Sequence, residues 1–220
     1  MKNSILFTLF VSICFSFTSA DSNKSKALTA QTVRFLGINY SQLKCIHKVD
    51  FVDKLGITQC QSLVDRYITE WNEYFITEKE KFDATKFFLV TKVELDLAQS
   101  IEAGKNYSVD SCVIENEAYT IAPDKIKSIV KSYQNATASG VAILIIGESL
   151  NKQKGVANYY VTYLDIATGE LLYYTKISGS PVGYGFAPYW VNSLYNALNE
   201  NKSTIKKERS ALGVAPKSNW

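Results

Sequence analysis

The chain's single histidine, His47, stands two residues after Cys45, and on a β-strand positions i and i+2 share a face. A thiol beside an imidazole is the start of a nucleophile–base pair. Such a pair also needs a group that orients the imidazole, and neighbours on one strand do not converge on a common substrate atom. Asp50 and Asp53 follow closely, but the four residues meet no metal-ligand spacing. No serine lies in a nucleophile-elbow pattern, so a Ser–His–Asp hydrolase has nothing to build on except His47. These residues assign no catalytic group, no metal and no cofactor.

A second constellation is Gly183-Tyr184-Gly185-Phe186, followed by Pro188, Tyr189 and Trp190. Glycines ahead of a helix can cradle an anion. A dinucleotide fold places them after its first strand, however, and here they follow the last. The other reading is a tight loop whose Phe186, Tyr189 and Trp190 plug the end of a sheet. If the protein has a working surface, Gly183, Tyr184, Gly185, Phe186, Tyr189 and Trp190 are its candidate binding residues. Carboxylates such as Glu148 or Asp165 are the rival, in a hydrolase. Spacing alone does not reveal whether they meet.

The elements that must position these groups begin with a strand over Thr32–Ile38 and an extended piece from Ser41 to Val49. Thr58 and Gln61 form a capping-box pattern. Cys60, Leu63, Val64, Tyr67, Ile68, Trp71, Tyr74 and Phe75 then recur at helical spacing, which predicts an amphipathic helix. Phe87 to Leu97 alternates and predicts a half-buried strand. Tyr107–Thr120 has room for a short strand. Pro123 suits the first position of a helix over Ile126, Ile129, Val130 and Tyr133. Val141–Ile146 is a continuous apolar run that suits a central strand covered on both faces. Tyr159–Ile166 and Leu171–Ser178 flank Ala167-Thr168-Gly169 as a hairpin. Trp190, Val191, Leu194, Tyr195 and Leu198 mark a last helix. The expectation is an α/β (α+β) fold, a mixed sheet covered by about three helices in the order β-α-β-α-β-β-β-α.

The ends are of a different kind. Lys2, the apolar stretch Ile5–Phe17 and Thr18-Ser19-Ala20 have the three parts of a secretory signal, with cleavage expected after Ala20. Cys14 follows a bulky Ile13, which does not suit a lipid-attachment signal. The expected layout is a signal peptide over 1–20, a flexible leader over 21–30, one domain over 31–200 and a disordered tail over 201–220. Of the 24 Lys and Arg, only Lys2 falls in the signal, and none of the 21 acids does, which leaves the mature chain at +2. That balance gives no electrostatic reason to expect nucleic acid, and no later segment has the apolar length of a membrane span. Cys45, Cys60 and Cys112 remain after cleavage, and any two of the three could pair. Cys60, on the apolar face of the first helix, reads as a small buried hydrophobe. Asn106, Asn135 and Asn201 match glycosylation sequons, which matter only in a host that glycosylates exported chains.

Three segments carry a resemblance: Ala122–Lys127, Gly140–Lys152 and the Gly-Tyr-Gly-Phe-x-x-Tyr-Trp run ending at Trp190. Over about residues 87–200 the chain resembles an uncharacterised family of exported proteins from Gram-negative bacteria. It departs at Ala187 and Pro188, where that family's pattern has a basic residue and Asn. More distantly, Tyr159–Leu172 is similar to a strand–turn–strand signature of envelope domains. Examples are the N-terminal domain of the Tol system's propeller protein and the curli secretion lipoprotein. That resemblance implies an α/β sandwich acting through protein contacts. The function expected is therefore binding of an envelope or secreted component, with a carboxylate hydrolase or a small-ligand carrier as the alternatives.

Overall fold

The computed structural model describes residues 19–56 and 58–214. The stretch Ile5–Phe17, read as the core of an export signal, lies outside them. The described residues form an α/β structure built on one mixed sheet of seven strands. Its strands are β1 (Thr32–Asn39), β2 (Lys44–Ile46), β3 (Lys92–Leu95), β4 (Val113–Ile114), β5 (Val141–Asn151), β6 (Val156–Asp165) and β7 (Glu170–Gly179). The first five pair in parallel, and β6 and β7 return as an antiparallel hairpin. Gly169, at φ 67°, takes the left-handed conformation that the hairpin turn requires.

β5 explains the architecture. Its burial is complete along the whole strand, because Ile143 and Ile145 enter one core while Ala142, Leu144 and Ile146 enter another. One edge of β5 carries β1 beside residues 141–146, then β2 beside residues 149–151. Its other edge carries β6. The continuous apolar run is thus a strand covered on both faces, as its composition predicts.

The helices are more numerous than the apolar periodicity suggests. They are α1 (Ser19–Thr29), α2 (Lys48–Phe51), α3 (Cys60–Ser62), α4 (Ile68–Thr77), α5 (Ala84–Phe88), α6 (Ala98–Lys105), α7 (Pro123–Ser132) and α8 (Phe186–Ala211). A π-turn, Leu63–Tyr67, joins α3 to α4 in one helical run. Thr58 Oγ1 caps that run by accepting from Cys60 N at 3.1 Å, but Gln61 turns to Asp65 instead of completing the box. α7 covers one face of the sheet through Ile126, Ile129 and Val130, and the 60–77 run and α8 cover the other through Trp71, Phe75, Trp190 and Leu194.

Four expectations are corrected here. The order β-α-β-α-β-β-β-α with about three helices gives way to the longer series above, because the short elements carry no period to read. Phe87 and Phe88 belong to α5, which Asp83 caps by accepting from Thr85 N at 2.9 Å. Only Lys92–Leu95 pairs as a strand, at the sheet edge and mostly exposed. The leader over 21–30 is helical, since Ala27 and Leu28 are fully buried and Lys26 Nζ lies 2.6 Å from Asp165 Oδ2. The tail over 201–220 is helical to Ala211: Asn201, Ile205 and Arg209 continue the buried stripe at four-residue spacing. Arg209 donates to the carbonyl of Leu89 and, at 3.3 Å, to that of Ala30. Asn201 is 5 % exposed, so its sequon is closed off in the folded chain.

Candidate functional site

The six candidate loop residues come together. Gly183, Tyr184, Gly185, Phe186, Tyr189 and Trp190 line one cavity of about 340 Å³. The rest of its wall is Asp50 and Phe51 of α2, Gln59 just before α3, and Lys152 after β5. The four come from three separate stretches of chain, so no local spacing groups them; Asp50 stands out in the sequence only beside His47 and Asp53.

The loop residues divide into anchors and a free surface. Trp190, 2 % exposed, stacks on Phe51 with ring centroids 5.9 Å apart. Phe186 stacks on Tyr67 at 5.3 Å and on Trp71 at 6.3 Å. These rings pack the start of α8 against α2 and the 60–77 run, and offset stacking of this kind adds to their apolar burial. Tyr184 is 98 % exposed. Gly183 at φ 117° and Gly185 at φ 80° make the turns that hold it outward. α8 fixes the loop from behind: Asn192 Nδ2 donates to Val182 O at 2.9 Å and Asn196 Nδ2 to Ser180 O at 2.8 Å. On the opposite wall, Asp50 Oδ2 is shielded from solvent and has no hydrogen-bond partner. An acceptor left so is costly unless something donates to it.

The other candidates separate. Cys45 is fully buried, with its Sγ 3.7 Å from Cys112 Sγ. β2 ends at Ile46, and His47, at φ 74°, turns away to the carboxylates of Glu115 and Glu117. Its Nδ1 is 3.3 Å from Glu115 Oε2; its Nε2 is 2.7 Å from Glu117 Oε1, misaligned for a hydrogen bond. The two acids bind opposite edges of the ring and so present no common point to a metal. The Lys48 backbone N–H, then His47, hold the Glu115 carboxyl below the usual range, and Lys154 does the same for Glu117.

Cys60 is buried as expected, but it is bonded to Cys112 rather than inert. The three sulfurs lie within 4.8 Å of one another. Such a donor set suits a soft cation, except that two of the three are joined.

Glu148 and Asp165 do not meet. Asp165 faces Val141 across the β5–β6 ladder, seven residues from Glu148, or roughly 23 Å along a strand. Glu148 sits at a bulge in β5, fully buried. Its Oε1 accepts from Thr120 Oγ1 at 2.7 Å, Tyr160 OH at 2.9 Å and Ile121 N at 3.1 Å, while Lys176 pairs with Oε2. One oxygen of this buried carboxylate is fully hydrogen-bonded, and the other is met by the Lys176 ion pair alone. Burial, strengthened by the neighbouring carboxylate, pushes the Tyr160 hydroxyl up to about 12, so it stays a donor.

No protein-family model matches the chain, and no curated protein matches it. Among the described residues, no helix is long and apolar enough to cross a membrane.

Proposed function

We propose that this is an exported, non-enzymatic binding domain, periplasmic or secreted, that holds an envelope or secreted protein at the cavity under Gly183–Trp190. The observation that carries the reading is that the six loop residues line one cavity, with the side chain of Tyr184 98 % exposed beside it. Among the described residues seven large hydrophobics are exposed, and one of them, Tyr184, lines this cavity. An exposed aromatic side chain beside a pocket is the kind of anchor that interaction surfaces use. The export signal and the envelope-domain resemblance point the same way. Glu148 and Asp165, two carboxylates named for the hydrolase alternative, do not pair with one another: Glu148 is fully buried, and Asp165 lies opposite Val141 on the ladder.

The test uses a photo-crosslinking phenylalanine analogue at position 184 and, as control, at the exposed Tyr174 of β7. A partner captured from the native host at 184, absent at 174 and lost on Lys152→Glu, supports the reading. Equal capture at both positions, or none at 184, removes it. Trp190→Ala is unsuitable as the probe, since a ring packed on Phe51 reports folding before binding. The cavity volume also lies at the lower end for small-molecule pockets, and Asp50 Oδ2 lacks a donor. A ligand carrier is thus the second reading, and a rise in Tm with a small molecule, abolished by Asp50→Asn, would favour it.

A further inference from the structure

Cys60 adjoins Gln59, one wall of the cavity, and is bonded to Cys112. The third cysteine is the unexplained one. Cys45 Sγ stands 3.7 Å from Cys112 Sγ, and all three sulfurs are fully buried. The backbone keeps Cys45 and Cys112 side by side, because Cys45 N donates to Cys112 O at 2.8 Å. The three sulfurs, all within 4.8 Å of one another, are bent at Cys112, so attack requires the Cys45 side chain to swing into line with the Cys60–Cys112 bond. The two pairings would close sequence separations of 52 and 67 residues. Loop entropy depends only on the logarithm of length, so the chain has little preference between them.

We propose that Cys112 has two alternative partners, and that the buried Cys45 thiol displaces Cys60 from it by thiol–disulfide exchange. In that step Cys45 gives up its proton and its Sγ bonds to Cys112 Sγ. The Cys60–Cys112 bond breaks, and Cys60 leaves as a thiolate and takes up a proton. One disulfide and one thiol are present before and after, so no oxidant or reductant is needed. The leaving group is favoured by position, since Cys60 opens the helical run 60–77 and its backbone N–H groups stabilise a negative charge there. Burial pushes the Cys45 thiol up, which keeps the attacking thiolate scarce and the exchange slow near neutrality. The first pairing ties Gln59 and the start of the helical run to the segment before β4. The second releases them, loosening the cavity wall. That consequence rests on reading the cavity as a binding site; the exchange itself does not.

The experiment maps disulfides in the folded full-length mature protein after incubation between pH 7 and pH 9. Samples are quenched and digested with pepsin in acid, where exchange is frozen, and linked peptides are identified by mass spectrometry. Cys45–Cys112 peptides should accumulate about tenfold faster per pH unit, following the thiolate fraction. Cys60→Ser should carry that pairing alone. Wild-type protein that yields only Cys60–Cys112 at every pH overturns the proposal, whatever the variant does. Because mapping requires no ligand, a failure of exchange is distinguishable from a failure of the cavity to bind.

Discussion

A buried amide shows how much a single residue decides here. Gly37, at φ 86°, breaks the register of β1, and the side chain of Asn72 repairs the gap. Its Oδ1 accepts from Ile38 N at 2.7 Å, and its Nδ2 donates to Ile38 O at 3.1 Å and to Ile68 O at 2.9 Å. A Cβ at position 37 would come within 2.5 Å of that Oδ1, so glycine and asparagine depend on one another. Asn72→Leu keeps the volume but orphans both backbone groups of Ile38 inside the core. It should cost about 3 kcal/mol, at one to a few kcal/mol per unmet buried group, read as a lower midpoint in urea. An unchanged midpoint would show that the bulge needs no staple. Asn72 lies within the helix's apolar face, and a lone polar residue there carries no periodic signal that marks its role.

At the scale of elements, α8 carries the most consequence. Gly179, at the end of β7, has no room for a Cβ: one built there would meet Ser193 O at 1.9 Å and Ala197 N at 2.7 Å. The helix backbone therefore lies directly on the strand end, and the same helix goes on to bury Asn201, Ile205 and Arg209. Ending the chain after Asn201 should destabilise it by at least about 3 kcal/mol. The loss of one buried Ile is alone worth about 2–5 kcal/mol, and the carbonyls of Leu89 and Ala30 would lose their donor. Denaturant unfolding of the truncated chain checks this; stability equal to the full chain would restore the reading of a loose tail. That reading arose because the stripe's last three members include one hydrophobe between two polar residues. Arg209 is buried for the carbonyls it reaches, and those contacts are tertiary.

For the whole molecule, the ion pairs set the acid limit. Lys26 holds the Asp165 carboxyl below its usual range, and Glu115 and Glu117 are likewise lowered. A carboxyl whose folded pKa is depressed contributes stability above its unfolded value and loses it as pH falls through the folded one. Tm should therefore fall as pH drops below about 4.5. Asp165→Asn should lower Tm at pH 7 by no more than about 3 °C, since the pair is screened by solvent. The two curves should converge below about pH 3. Parallel curves down to pH 2 would mean that Lys26 does not anchor α1 through this acid.

What the sequence by itself determined were the features that local chemistry dictates. The twofold alternation and the unbroken apolar run specified β5–β7, the 3–4 spacing specified the helices over 60–77 and 123–132, and Pro123 and the glycines marked their ends. It also brought six loop residues forward as a set, because aromatic and glycine residues side by side are legible without a partner. The tertiary structure alone decided which thiols pair, that Glu148 is a buried tie and far from Asp165, and that Asp50, Phe51, Gln59 and Lys152 complete the cavity. Each of those facts is a distance between residues remote in the chain. Such distances are fixed by how the sheet orders its strands and how α8 crosses them, and no periodicity within a single segment encodes that.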